Sequence, residues 1–253
     1  MKIVRVRTDE GIVYGAVEPE GIRLYQGSPL FEWESTEVVA SFESVQLLSP
    51  VFPTKVLAIG KNYADHAAEM GSDTPDSPIL FMKPATSVIG PGAPIIMPPD
   101  SMEVHHEGEV AVVIGSVARN VRAENAASVI LGYTAANDVT ARDLQRVDGQ
   151  WTRAKGYDTF CPLGPAIETE FDPLAGADVI CRVNGEIKQA GPTTDMVFGV
   201  AELIEYITRI MTLLPGDVIL TGTPAGVGPI DDGDVVEVEV EGIGVLTNPV
   251  VKA

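Results

Sequence analysis

Apolar positions along this chain recur mostly in twos, and only one segment shows a clear helical spacing. Ile3-Val4-Arg5-Val6-Arg7 alternates, and residues 12–17 and 22–25 follow after glycine-containing turns. That pattern predicts short antiparallel strands. Pro50 and Pro53 then mark a stiff linker. We expect a small strand-rich amino-terminal module over residues 1–50 and a catalytic domain over 51–253, opening with the strand Val56-Leu57-Ala58-Ile59. Further on, Asn184-Gly185 between two short apolar runs predicts a tight hairpin. Residues 200–211 predict a helix with Leu203, Ile204, Ile207, Ile210 and Met211 on one face. Pro215-Gly216-Asp217 turns the chain into the strand Val218-Ile219-Leu220. Strands dominate without regular strand–helix alternation, so the predicted fold class is mixed α+β, mostly β.

Composition narrows the function classes. A chain of 253 residues, 45% of them hydrophobic, can bury a full core. Its 36 acidic and 17 basic residues leave a net charge of −19. Such a surface repels nucleic acid and anionic membranes, so neither is expected as a partner. An anionic substrate would need a local metal or a local basic cluster. No apolar run approaches the ~18 residues of a membrane span, and the amino terminus lacks a signal peptide's apolar stretch. The expected location is the cytoplasm. Cys161 and Cys181 form no paired motif and are expected to be buried, inert thiols.

The chemistry concentrates at His105-His106-Glu107-Gly108-Glu109, which runs into Val110-Ala111-Val112-Val113-Ile114. Alternate strand residues share a face, ~6.6–6.8 Å apart, so Glu107 and Glu109 would aim two carboxylates at one place. An unbroken apolar run implies burial on both faces, where paired like charges need a cation. Oxygen donors suit Mg²⁺, with Mn²⁺ or Ca²⁺ as alternatives. A second apolar segment ends in Asn137-Asp138, and Asp138 offers a third carboxylate. Glu237, Glu239 and Glu241 have the same spacing but alternate with Val236, Val238 and Val240, and read as a solvated sheet face. His105 can share a face with Glu107 and Glu109, whereas His106 points away; supporting or core roles are expected for both.

His66 and Glu69 lie three apart in a short predicted helix ending at Gly71. They read either as a solvated helix-face pair or as an imidazole oriented by a carboxylate, a general base toward water. The stretch 71–78 is expected to let that helix close as a lid. Gly60-Lys61 is not a phosphate-binding loop, because the upstream glycine and the following Ser or Thr are missing. The glycine-rich run from Thr221 to Gly228 has no predicted helix after it. It suits a tight loop offering N–H groups and a Thr hydroxyl to a carboxylate. Lys83, Arg142, Gln145 and Lys155 are the polar groups expected to read an anionic substrate.

Taken in order, Ile59-Gly60-Lys61-Asn62-Tyr63-Ala64-Asp65-His66, Leu80-Phe81-Met82-Lys83-Pro84, His106-Glu107-Gly108-Glu109, Asn137-Asp138-Val139-Thr140-Ala141-Arg142-Asp143 and the run 220–228 resemble the fumarylacetoacetate hydrolase family. The resemblance spans residues 55–230 and is nearest to the smaller acylpyruvase, decarboxylase and isomerase branch. It implies a β-sandwich roll, a homodimer, and a Mg²⁺ or Mn²⁺ site on Glu107, Glu109 and Asp138. It implies Lys155 as a partner of the bound substrate and His66 with Glu69 as a water-activating dyad. Arg142, Gln145 and Thr223 fall where family members contact substrate.

Those parts predict an enzyme acting on a small 2-oxo or 2,4-dioxo acid through a metal-stabilised enolate. The first expectation is hydrolysis of the C–C bond of an acylpyruvate, with His66 activating water. Decarboxylation of oxaloacetate and isomerisation of a 2-hydroxyhepta-2,4-diene-1,7-dioate are the alternatives, since fold does not choose among reactions of one site. A non-catalytic metal-dependent binding protein is a further alternative. Residues 71–79 and 145–154 are expected to set the choice of acid.

Overall fold

The computed structural model describes residues 1–253 except Met70 and Ser72. Strands hold 45% of the residues and helices 18%, so sheets carry the fold. Among the described residues, three sheets, of twelve, five and three strands, make up the architecture.

Hydrophobic runs explain which strands lie centrally. Gly108–Ile114 is buried at every position. Its Val110, Val112 and Ile114 enter one core cluster, while Ala111 and Val113 enter another on the opposite face. The first cluster fills the space between the large sheet and the five-stranded sheet, where Val179, Cys181, Val236 and Val238 meet it. Gly108 faces that second sheet, and a Cβ there would sit 3.1 Å from the Cβ of Cys181. Gly108–Ile114 pairs antiparallel with Ile130–Asn137 on one side and with Val218–Leu220 on the other.

Residues 1–50 extend the large sheet. Lys2–Thr8 pairs antiparallel with Cys161–Glu168, and Gly11–Glu18, Gly21–Gly27 and Trp33–Ala40 add on outward. Trp33–Ala40 escapes the pattern reading because its glutamates and single apolar pairs suit an edge strand. It is held in part by Trp33 stacking on Tyr25 at 4.0 Å.

The Asn184-Gly185 turn has φ of 52° and 78° and joins Asp178–Val183 to Glu186–Pro192. Positive φ at both central residues gives the right-handed twist that a two-residue hairpin requires. The helix Val200–Ile210 buries Leu203, Ile204 and Ile207 as its spacing predicts. Ile210, expected on the same face, is the last residue of the helix and is 51% exposed.

The short helix Ala64–Glu69 follows the strand Val56–Gly60. Gly71 caps it at φ 68°, its N–H 2.9 Å from the Ala68 oxygen. Met70 and Ser72, part of the expected capped helix and lid stretch, lie outside the described residues. No helix among the described residues is long and apolar enough to cross a membrane.

Candidate metal centre

Strand register assembles the acidic cluster. Gly108 pairs with Asn137 and Glu109 with Ala136. Carried one residue further, that register sets Glu107 opposite Asp138, and the Asp138 N–H donates to the Glu107 oxygen at 2.8 Å. Glu107 is not inside a strand: it lies between Val104–His106 of the three-stranded sheet and Gly108–Ile114 of the large one. The Asn137 side-chain oxygen closes that junction by accepting the Glu107 N–H at 2.9 Å. Carboxylate oxygens of Glu107, Glu109 and Asp138 lie within 4.8 Å of one another, and all three residues are buried.

Three cations surround them. Lys155 Nζ donates to both Glu107 and Asp138 at 2.7 Å. Lys83 Nζ donates to Asp138 at 2.5 Å, and Arg142 donates to Glu107 at 2.6 Å. Glu107, Glu109 and Asp138 bring three negative charges, and Lys83, Lys155 and Arg142 bring three positive ones.

The charges are unevenly shared. Burial alone would raise the Glu107 carboxyl, but Lys155 and then Arg142 outweigh it and hold the group well below the usual carboxylate range. Among the described residues, Glu109 forms no ion pair. Burial, and then the charges of Asp138 and Glu107, push it well above that range, only partly offset by Lys155 and the Gly222 N–H. Burial would lower Lys155, yet Asp138 and Glu107 keep it above the ordinary lysine value. A buried cluster of hard oxygen donors with one carboxylate left without a direct ion-pair partner fits a divalent cation.

The glycine-rich loop after Val218–Leu220 holds protein carboxylates. Gly222, at φ 101°, donates its N–H to Glu109 at 2.7 Å, and any Cβ there would meet Asn62 at 2.7 Å. Gly226 donates to the Glu69 carboxylate at 3.1 Å. The Thr223 hydroxyl donates to the Gly108 oxygen at 2.8 Å.

A cavity of about 180 Å³ opens over the cluster. His66, Arg142, Gln145, Lys155 and Thr223 line it with Glu107, Glu109 and Asp138. His66 is buried, with Nδ1 3.4 Å from Glu69, which does not itself line the cavity. Arg142 also donates to Gln145 at 2.6 Å. Lys83 does not line this cavity; it is 1% exposed, and its ammonium donates to Asp138 and the Val139 oxygen. Its position departs from the expectation of a substrate-reading lysine, because the strand Ile79–Lys83 delivers it to the back of the carboxylate. Among the described residues, none of 71–79 lines the cavity, whereas Gln145, Arg146 and Trp151 do. Cys161 and Cys181 are free and buried, and burial pushes both thiols up to about 12.

Some contributors carry no sequence signal. Gln189 accepts from the Gly108 N–H at 2.9 Å and from the His106 side, and donates to Thr223 and Pro224 at 2.7 Å. It stitches the acidic strand to the glycine-rich loop, yet in sequence it is an ordinary residue after a hairpin. Buried Asn62 donates to the Phe198 and Thr221 oxygens at 3.0 and 2.7 Å, fixing the turn after Gly60. His105 supports Arg142 at 3.4 Å, and His106 points the other way to Gln189 at 2.9 Å.

Comparison with known proteins places this geometry. The mitochondrial oxaloacetate tautomerase of Rattus norvegicus is 45% identical over 219 residues, covering 82% of this chain and 70% of that protein. The crystal structure of a 5-carboxymethyl-2-hydroxymuconate delta-isomerase from Mycobacterium smegmatis is 47% identical, with a TM-score of 0.94 over the full length of both chains. That of a 2-hydroxyhepta-2,4-diene-1,7-dioate isomerase from Mycobacterium marinum is 46% identical, with a TM-score of 0.92 over 100% of this chain and 98% of that one. Residues 1–50 match the family described as Rv2993c-like, N-terminal. Residues 55–251 match the fumarylacetoacetate (FAA) hydrolase C-terminal family, and the chain belongs to that family.

Proposed function

We propose that this chain is a divalent-metal-dependent enzyme that moves a proton at the carbon beside the carbonyl of a small 2-oxo acid. The observation that carries the reading is the meeting of a buried three-carboxylate cluster and a histidine on the walls of one cavity. Glu107, Glu109 and Asp138 would hold Mg²⁺, and Mn²⁺ or Ca²⁺ suit the same oxygens. Such a metal, when bound, supplies a Lewis acid that draws electron density from the substrate's 2-oxo group.

The chain's own residues do the rest. Glu69 engages His66 Nδ1, which leaves Nε2 to take the proton from carbon and return it. Lys155 keeps its ammonium between Glu107 and Asp138, beside the oxygen on which negative charge develops. Arg142, which donates to Gln145, would bind the carboxylate with it, and Thr223, bonded to the Gly108 oxygen, would form the floor. Lys83 fixes Asp138 from behind. The apolar walls of Phe81 and Trp151, packed edge to face at 5.2 Å, limit water. Tautomerisation and isomerisation, the reactions in the relatives' names, share this proton transfer. The family's dimeric state belongs to the same proposal, and light scattering of the purified chain tests it.

Hydrolysis of an acylpyruvate is the second reading. It is favoured by the His66–Glu69 pair, since a base facing a cavity can activate water as well as a carbon acid. Proton NMR in D₂O separates the two on oxaloacetate and acetylpyruvate with Mg²⁺. Metal-dependent deuteration at C3, faster than in buffer and lost in His66→Ala, is the expected result. Release of acetate and pyruvate would establish hydrolysis instead. If neither activity depends on metal and His66, the proposed function fails.

A further inference from the structure

We infer that Gln189 is a positioning residue for the histidine base: its amide tethers the half of the glycine-rich loop that orients Glu69 behind His66. The inference deepens the proposed function and rests on it. Two carboxylates depend on that loop. Gly222 donates its N–H to Glu109 at 2.7 Å, and Gly226 donates to Glu69 at 3.1 Å, which engages His66 Nδ1. The near half of the loop is tied to the acidic strand without help from Gln189. The Thr221 N–H reaches the Val110 oxygen at 3.1 Å, and the Thr223 hydroxyl reaches the Gly108 oxygen at 2.8 Å. Past Thr223, on the way to Gly226, the Pro224 oxygen accepts from the Gln189 amide at 2.7 Å.

The orientation of that amide is fixed. Gln189 is 2% exposed. A carbonyl oxygen only accepts and an amide nitrogen only donates. The Gly108 N–H, at 2.9 Å, therefore marks the oxygen, and the Pro224 oxygen marks the nitrogen. The oxygen's second lone pair meets His106 Nδ1 at 2.9 Å, which must carry its proton there. The nitrogen's second hydrogen goes to the Thr223 hydroxyl at 2.7 Å. All four positions of the amide are filled. One side chain thus joins the backbone between Glu107 and Glu109 to the far half of the loop.

Steric contact alone would not hold the loop there. Glu186–Pro192 is the edge strand of the five-stranded sheet and pairs with Asp178–Val183. Its backbone lies hard against the loop: a Cβ at Gly226 would sit 2.0 Å from the Lys188 oxygen, and one at Gly191 would sit 2.8 Å from Pro224. Such contact limits how near the loop can come but does not stop it from moving away. The Gln189 amide supplies the attraction. Arg142 and Lys155 are held by Glu107 and Asp138 instead. Loss of the tether should therefore disturb the base and spare metal and substrate binding.

Kinetics of Mg²⁺-dependent deuteration of oxaloacetate test this in Gln189→Met. The variant should lose on the order of a hundredfold in kcat, the size of a misplaced reacting group, with KM within about twofold of wild type. Its effect should not multiply with that of Glu69→Gln, because both act on the same imidazole. Hydrogen exchange of the intact protein gives a readout apart from turnover: the amides of 225–226 should exchange faster in Gln189→Met, while those of 221–222 stay as in wild type. Gly191→Ala, which presses on Pro224 and leaves the amide in place, is the second variant and should show the same split between kcat and KM. Melting temperatures above the assay temperature establish which variants are folded. Unchanged kcat, losses that multiply with Glu69→Gln, or unchanged exchange at 225–226 overturns the assignment of Gln189 and leaves the proposed function standing. If wild type shows no metal-dependent deuteration, the proposed function falls and takes this inference with it.

Discussion

Glu107-Gly108-Glu109 and Glu237-Val238-Glu239 carry glutamates at the same spacing, and the molecule treats them in opposite ways. On Val235–Val240 the valines at 236, 238 and 240 are buried, while Glu237 and Glu239 stay part-exposed. Glu239 pairs with Arg182 at 2.7 Å beside water. On Gly108–Ile114 both faces are covered, so Glu109 is 2% exposed, and Glu107 at the junction just before it is 4% exposed. The two segments even touch, since Val238 packs on Gly108. Spacing aims a pair of carboxylates; burial on the second face turns their repulsion into a demand for a cation.

The comparison is broken or sharpened most strongly by turnover. Glu109→Gln should cost about a thousandfold or more in metal-dependent kcat/KM, as loss of a metal ligand removes the Lewis acid. Glu239→Gln should leave it unchanged. Equal effects from the two substitutions would mean that burial does not separate the segments.

Stability without metal comes next. Glu107→Gln strands Arg142 as a buried cation and leaves Lys155 with Asp138 alone, and should cost about 3 kcal/mol in urea unfolding with chelator present. Glu109→Gln should be neutral or stabilising, because burial and the charges of Asp138 and Glu107 outweigh what Lys155 and the Gly222 N–H offer the raised Glu109 carboxyl. Matching losses for both would refute the uneven sharing of charge.

The pH dependence is smaller and has a definite sign. Glu109 is raised in the folded chain, so from the ordinary glutamate value of 4.5 upward the folded state holds a proton that the unfolded state has released. Metal-free wild type should therefore lose stability relative to Glu109→Gln as pH rises through that window. With Mg²⁺ the ionised form is favoured, and stabilisation by the metal should grow with pH. Melting curves in chelator and in Mg²⁺ from pH 5 to 8 measure both slopes; parallel curves would refute the raised carboxyl. The smallest effect is expected at the solvated pair, where Glu239→Gln should move the melting temperature by only about 1 °C.

Much of the fold could be read from periodicity. The mostly-β class, the Asn184-Gly185 hairpin, and the helix at Val200–Ile210 all follow from local pattern. Trp33–Ala40 could not be read, because an edge strand needs little apolar content. At the site, Glu107, Glu109 and Asp138 were legible as residues of one chemistry. Lys83 was legible as a charge but not by position, since nothing local says that its strand delivers it behind Asp138. Gln189 and Asn62 were invisible as contributors, because an amide in a strand or turn looks the same whether it faces water or ties two loops together.

The sequence by itself determined which segments alternate, which run apolar on both faces, and which residue types could bind a metal or move a proton, because these depend on neighbours within a few positions. Only the tertiary structure decided the rest. The register of Gly108 on Asn137 sets Glu107 against Asp138, and the packing of separate strands and helices brings Lys83, Lys155 and Arg142 around them. The strand Glu186–Pro192 brings Gln189 between Gly108 and Pro224. Those placements join residues far apart in the chain, and electrostatic strength in a buried site depends on distances and desolvation that no local pattern encodes.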